Sequence, residues 1–324
     1  MDIYVKKAII HQFSPDDTDL YLADKFLNIT PKIEEYLRKK IERVYSDEAR
    51  TGIFEEDNPF LEMISDDLLE TSVAVANRWK EEFVVSENQK TNDLVFIQFS
   101  KEGVDHFAFL RIALRETLTH LGGDVDNPIK LTQNNLPGFG TGADEALVIN
   151  LQSRKYHLIE KRIKYNGTFL NYFSENLLAV APKISPKKSI KELEKTAQRI
   201  AESFNTDDFQ FQSKVKSAIF NHIEEENKLS PEKLADDLFD DNLTARLSFI
   251  DQVKEAIPEP VTFEEIDASR QLKKFENQKL SLSNGIELIV PNSVYEDAES
   301  VEFILNDNGT YSILIKNIED IQSK

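Results

Sequence analysis

The 324-residue chain is 40% hydrophobic, with 21 Phe and 9 Tyr, and carries a formal net charge of −19. That much aromatic material excludes a disordered chain, and no window reaches the ~20 consecutive apolar residues of a membrane span. The absence of Cys excludes a disulfide framework, a thiolate nucleophile and a Cys-based zinc site.

At this length two domains are expected, since one hydrophobic core does not grow so large. The opening Met1-Asp2-Ile3-Tyr4-Val5-Lys6-Lys7 sets apolar residues ahead of the positive charges. That is unlike a signal peptide and predicts a cytoplasmic location. Ile3–Phe13 is β-branched and reads as a strand, with Leu20–Ile29 as its partner and Asp16, Asp17 and Asp19 at the turn. Thr30-Pro31 starts a helix, Thr as N-cap and Pro at the first helical position. Ile33, Tyr36, Leu37, Ile41 and Val44 carry it at helical spacing to about Ser46. A second helix is predicted from Pro59 to Glu82 through Leu61, Ile64, Leu68, Val75 and Trp79.

Asp93–Phe99 and Val104–Leu114 read as a hairpin turning at Lys101-Glu102-Gly103. Both faces of the second strand are apolar, so it is predicted to be central and covered on both sides. Pro137–Gly142 reads as a flexible loop, and Ala146–Leu151 with Lys155–Tyr165 as another strand pair. Ser185-Pro186 opens a run of helices at 186–204, 207–227, 231–239 and 244–257, with Thr206 and Ser230-Pro231 as further starts. The tail returns to strand over Leu280–Val290, around Asn284-Gly285. Val301–Leu305 then joins Thr310–Ile315 through Asn308-Gly309, a type I′ signature.

The order strand-rich, helical, strand-rich predicts an α+β fold. A mixed or antiparallel N-terminal sheet with helices is followed by a helical region and a C-terminal β-hairpin element. The predicted domains are 1–182 and 183–324.

The negative total argues against nucleic acid as a partner, but the charge is segregated. Residues 1–150 hold 16 Lys and Arg against 28 Asp and Glu, and residues 201–324 hold 12 against 26. The fifty residues between them hold 11 against 4. Salt confines a charge's influence to about 8 Å, so a local cationic surface can hold a polyanion on an acidic protein.

Two groups make up that basic stretch. Lys187, Lys191, Lys195 and Arg199 recur every four residues on the helix after Ser185, opposite the apolar stripe Ile190, Leu193, Ala197, Ile200 and Phe204. At 1.5 Å per residue the row runs for ~18 Å. Like charges at this spacing repel by ~0.2–0.5 kcal/mol per pair, and Lys188–Glu192 and Lys191–Glu194 are expected to offset part of it. Arg154, Lys155, Lys161, Arg162 and Lys164 form the second group, interleaved with Tyr156, His157 and Tyr165. Cations beside aromatics suit phosphate contact with some stacking. These nine residues are the candidate DNA-binding set; the ordinary alternative for both groups is a solvated surface.

Other patterns carry less. Gly138, Gly140 and Gly142 lack the Gly-Lys-Ser/Thr end of a P-loop. Asp236-Asp237-Leu238-Phe239-Asp240-Asp241 matches an Asp-rich magnesium pattern but has no second metal motif, so a solvated helix end is the expected reading. The five His residues are scattered without ligand spacing, and His11 and His106 are expected to be structural. No catalytic residue, metal site or cofactor is predicted. A nuclease or hydrolase with dispersed carboxylates would need an acidic cleft holding a divalent metal.

Four stretches, in this order along the chain, resemble the bacterial nucleoid-associated protein family of the YejK (NdpA) type. They are Ala8-Ile9-Ile10-His11-Gln12; Arg43-Val44-Tyr45-Ser46 followed by Gly52-Ile53-Phe54; Asp144–Leu151 leading to Tyr172–Leu178; and Leu272-Lys273-Lys274-Phe275 ahead of Gly285 and Asp307-Asn308-Gly309-Thr310. The resemblance implies a non-enzymatic protein of the bacterial nucleoid that binds double-stranded DNA. It assigns no DNA-contacting residue. The resulting expectation is non-specific binding through phosphate contacts, with no membrane partner and with a second copy of the chain, as a homodimer, among the candidate partners. The alternative is a protein-interaction module regulating a DNA-processing enzyme or chromosome factor.

Overall fold

The computed structural model describes residues 2–87, 89–120, 129–204, 208–263 and 265–322. The chain divides into two compact units, Met1–Ser185 and Pro186–Lys324.

The first unit is organised by a seven-stranded antiparallel sheet. Its strands are β1 (Ile3–Ser14), β2 (Asp19–Tyr21), β3 (Arg50–Ile53), β4 (Asn92–Lys101), β5 (Val104–Ala113), β8 (Glu145–Asn150) and β9 (Lys155–Ile159), ordered β2-β1-β4-β5-β8-β9-β3. β4 and β5 pair without a slip from Asn92↔Ala113 to Lys101↔Val104. Glu102 and Gly103 between them both have positive φ (53° and 83°), the type I′ geometry whose twist matches the flanking strands.

Alternation sends Phe96, Phe107, Phe109, Leu147 and Leu158 to one face, under Val75, Trp79 and Phe83 of helix α2 (Leu68–Phe83). It sends Val95, Ile97, Ala108, Leu110, Ile112 and Val148 to the other, against Leu37 and Ile41 of helix α1 (Pro31–Glu42). The central strands are therefore buried on both sides, as their uninterrupted apolar runs predict.

Several predicted boundaries move. The second helix begins at Leu68, not Pro59, because the Asp67 carboxylate accepts the Leu69 N–H at 2.8 Å and caps it there. The preceding residues form only a 3-10 turn, Leu61–Met63. The partner of the first strand shrinks from Leu20–Ile29 to Asp19–Tyr21. Beyond it the Ala23 N–H turns to His11 Nδ1 (3.0 Å), and one further backbone bond, Leu27 N–H to Ala8 O, holds the segment.

Two hairpins escaped the sequence reading. One pairs β6 (Arg115–His120) with β7 (Ile129–Asn135), and the other pairs β10 (Ile163–Tyr165) with β11 (Thr168–Leu170) across Asn166-Gly167. Lys155–Tyr165 is thus two strands, broken where Glu160 receives Arg50 and the Ser174 N–H and hydroxyl.

The second unit is a helical cluster with small antiparallel pairs. α3 (Pro186–Ser203), α4 (Phe209–Glu226), α5 (Pro231–Leu238), α6 (Leu243–Ala256) and α7 (Ser269–Phe275) surround a core of Ile190, Leu193, Ile219, Phe249, Val253 and Phe275. Thr206 lies outside the described residues; α4 is capped by Asp208, which accepts the Phe211 N–H at 2.7 Å. The segment carrying α5 and α6 is closed by β12 (Lys228–Leu229) pairing β13 (Val261–Thr262). Two hairpins complete it, β14 (Asn277–Ser281) with β15 (Glu287–Pro291) and β16 (Val301–Leu305) with β17 (Tyr311–Ile315), the four-residue helix α8 (Asn292–Tyr295) lying between them. Among the described residues no helix is long and apolar enough to cross a membrane.

Candidate nucleic-acid interface

The α3 sequence separates its two faces cleanly. Ile190, Leu193, Ala197 and Ile200 are each 3% exposed or less, so the helix is held by its apolar stripe. Lys187, Lys191, Lys195 and Arg199 all lie on the exposed side. Among the described residues Lys191, Lys195 and Arg199 form no ion pair and no hydrogen bond through their cationic groups. The pairs expected from spacing, Lys188–Glu192 and Lys191–Glu194, do not form. Glu194 instead receives Lys274 Nζ of α7 at 3.6 Å.

The group at 154–164 behaves differently. Arg154 and Lys155 sit at the start of β9, Lys161 and Arg162 follow its end, and Lys164 is on β10. A five-residue strand at ~3.3 Å per residue separates the two subsets. Arg154, Lys161 and Lys164 are already matched by carboxylates. Arg154 meets Glu56 at 3.4 Å, Lys161 meets Asp144 at 2.7 Å and Lys164 meets Glu87 at 3.2 Å. Arg162 donates Nε–H to Asn171 at 3.2 Å. Burial alone would raise the Asp144 pKa; the Lys161 bond and the Ala113 N–H override it and hold the carboxyl below its ordinary value. Glu87 is lowered by the Gly167 N–H and then by Lys164.

The aromatic half of the stacking expectation fails for two of its three members. Tyr156 and His157 are buried, Tyr156 among the Phe54 side of the core and His157 against Tyr45 at 4.6 Å between ring centres. Consecutive strand residues face opposite ways, and here both ways are interior. Tyr165 is exposed, as is Phe169 opposite Lys164 on the small hairpin.

The glycine loop is not a phosphate cradle. Such a cradle aims backbone N–H groups at the anion. Here the carbonyls of Gly138 and Thr141 accept from the ammonium of Lys40, which is fully buried, at 2.9 and 2.5 Å. Tyr36 donates its hydroxyl to Pro137 O at 3.0 Å, and its ring lies 4.4 Å from Lys40 Nζ. Burial lowers the Lys40 pKa to about 8. What reads as a flexible connection is a loop wrapped around one cation.

The acidic run beside α5 is likewise spoken for. Asp236 pairs with Arg246 at 3.1 Å, Asp237 with His222 at 2.7 Å and Asp240 with Lys214 at 3.1 Å. Among the described residues no group of three or more His, Asp and Glu side chains has the placement to hold a metal ion.

The sequence reading omitted the cations of α7. Arg270, Lys273 and Lys274 are exposed, at i, i+3 and i+4, while Gln271 and Phe275 point inward. Seven residues are too few for a convincing periodicity, which is why the helix was not predicted.

Among curated proteins, none matches this sequence. A family model described as nucleoid-associated protein YejK matches residues 9–321, across both units. The chain belongs to the nucleoid-associated protein YejK family.

Proposed function

We propose that this nucleoid-associated protein binds double-stranded DNA without reading bases, through phosphate contacts from Lys187, Lys191, Lys195 and Arg199. One observation carries the reading: α3 holds a row of exposed cations of which three have no anionic partner in the described chain. Their mutual repulsion, ~0.2–0.5 kcal/mol per pair, is relieved by no ion pair among the described residues, and a polyanion relieves it while releasing counterions. The group at 154–164 contributes less, because Arg154, Lys161 and Lys164 would have to exchange a carboxylate for a phosphate. The net charge of −19 then limits adhesion to regions without such a row. No catalytic residue, metal or cofactor enters this mechanism, and the site of action is the nucleoid in the cytoplasm.

The test is titration of a fluorescent duplex at several salt concentrations. Reversing all four α3 cations to Glu is expected to weaken binding and to flatten the salt dependence by about 0.9 in log–log slope per lost contact. Unchanged affinity and slope would remove α3 from the mechanism.

A second reading, a protein-interaction module acting on a DNA-processing enzyme or chromosome factor, is favoured by the β6–β7 hairpin. Leu118 opposes Leu131 there, beside Ile129, and the three are 70%, 55% and 66% exposed. A two-stranded ribbon with an uncovered apolar face is marginal alone and suits a protein partner or a second copy of the chain. Leu118→Gln with Leu131→Gln should abolish such association in cross-linking and sedimentation while duplex affinity persists. A monomer that cross-links to nothing in either form removes this reading.

A further inference from the structure

Helix α7 is attached by one face and presents another. Phe275 is 1% exposed within the second unit's core and Gln271 is 4% exposed one turn earlier. Residues at i, i+3 and i+4 share a helix face, which places Arg270, Lys273 and Lys274 together on the solvent side. Lys274 lies over the Phe275 ring, 4.4 Å from its centre, and extends Nζ to the Glu194 carboxylate of α3.

Glu194, like Glu192, is set among the α3 cations, three residues from Lys191 and next to Lys195. Its side chain is 28% exposed and that of Lys274 57%. A surface pair of this kind adds little stability, ~0–1 kcal/mol. Its larger consequence is electrostatic, because it cancels the carboxylate that would repel a phosphate approaching Lys191 and Lys195. It also brings the α7 surface within about one Debye length, ~8 Å, of the α3 row. Lys273 forms no ion pair among the described residues. Asp267, N-terminal to α7, accepts the Ser269 N–H at 3.0 Å, and its carboxyl is held below its ordinary value by Ser269 first and then by the nearby charges of Lys273 and Arg270.

We infer that α7 is the second half of the DNA surface, with Arg270, Lys273 and Lys274 contacting phosphates of the same duplex that α3 engages. This rests on the DNA reading of α3. Two cationic helices linked by the Lys274–Glu194 pair fit a repeating, densely charged backbone, which carries one charge per ~1.7 Å of duplex axis. An acidic peptide presents sparser charge.

Duplex titration over a salt series, using the full chain, tests this with three single variants. Lys273→Gln is expected to weaken binding several-fold and to lower the salt slope by about one, with the thermal midpoint unchanged because no ion pair is lost. Lys274→Gln should weaken binding more, since it removes a cation and uncovers Glu194. Glu194→Gln should tighten binding, although it breaks the Lys274 pair; a purely structural pair would give no gain. If Lys273→Gln and Lys274→Gln leave affinity and slope at wild-type values while reversal of the α3 row abolishes binding, α7 is outside the site and the α3 reading stands. A wild-type chain with no salt-dependent duplex binding overturns both. Poly-glutamate competing as well as DNA of equal charge would overturn the choice of partner.

Discussion

Arg111 and Glu145 face each other across β5 and β8, with Arg111 Nε 2.7 Å from Glu145 Oε2 in the interior of the first unit. Arg111 also donates to Asn92 Oδ1 at 2.9 Å, and Glu145 accepts the hydroxyl of Tyr172, which in turn accepts the Trp79 indole N–H at 3.0 Å. Burial would lower the Arg111 pKa; the Glu145 carboxylate overrides it and keeps the guanidinium charged. Burial and the same carboxylate push Tyr172 far up, so its proton stays on. The network ties three strands, α2 and the Tyr172 segment together by charge and hydrogen bonds in addition to apolar contact.

Removing one partner strands the other. Arg111→Met is expected to cost ~3–5 kcal/mol, because it leaves an unpaired buried carboxylate. Adding Glu145→Leu should recover much of the loss. Urea unfolding of the two variants checks this, and equal destabilisation would show that the charges are not coupled.

The loop around Lys40 gives a second prediction. Lys40→Met leaves the carbonyls of Gly138 and Thr141 without their ammonium partner, an expected loss of ~1–3 kcal/mol. Limited proteolysis should then cut within 137–142, where the wild-type chain resists.

His11 predicts a pH dependence. Its Nδ1 accepts the Ala23 N–H, so Nε2 carries the proton and donates to Ser72 Oγ at 2.9 Å. Burial lowers its pKa, so the folded state favours the neutral ring. The contribution of His11 to stability is therefore present above the ordinary value of about 6.5 and is lost as pH falls through the lower folded value. Denaturant midpoints of wild type and His11→Gln should converge on acidification. A gap that widens toward pH 5 would contradict the neutral assignment.

Gly52 stands opposite Tyr156 on the β3–β9 pair, where a methyl group would overlap the phenol ring. Gly52→Ala is expected to cost ~1–3 kcal/mol through overpacking. Calorimetry of Gly52→Ala, Tyr156→Leu and the double variant should show strong non-additivity.

The two basic groups should differ on reversal. Lys161→Glu with Lys164→Glu meets cations already matched by Asp144 and Glu87. It should reduce duplex affinity less than any two reversals among Lys191, Lys195 and Arg199. The opposite ranking would move the binding surface to the first unit.

Much of the architecture was legible in the residues, because local rules decide it. Ser185-Pro186 and Ser230-Pro231 started helices, and the double-faced apolar run 104–114 required a covered central strand. Asn308-Gly309, by contrast, marked a hairpin but not a type I′ turn: five residues, 306–310, link Leu305 to Tyr311, and positive φ there falls on Gly309 and not on Asn308. The helical stripe of α3 likewise settled which residues face inward. Tertiary structure decided what each charge meets, since ion pairs such as Lys274–Glu194 and Arg154–Glu56 join residues distant in sequence. The same dependence on distant neighbours drew Lys40 into a carbonyl cradle and buried Tyr156 and His157 among cations that spacing had marked for stacking. Periodicity states which side of an element is apolar; only the packing of all elements determines which polar groups are left for a partner.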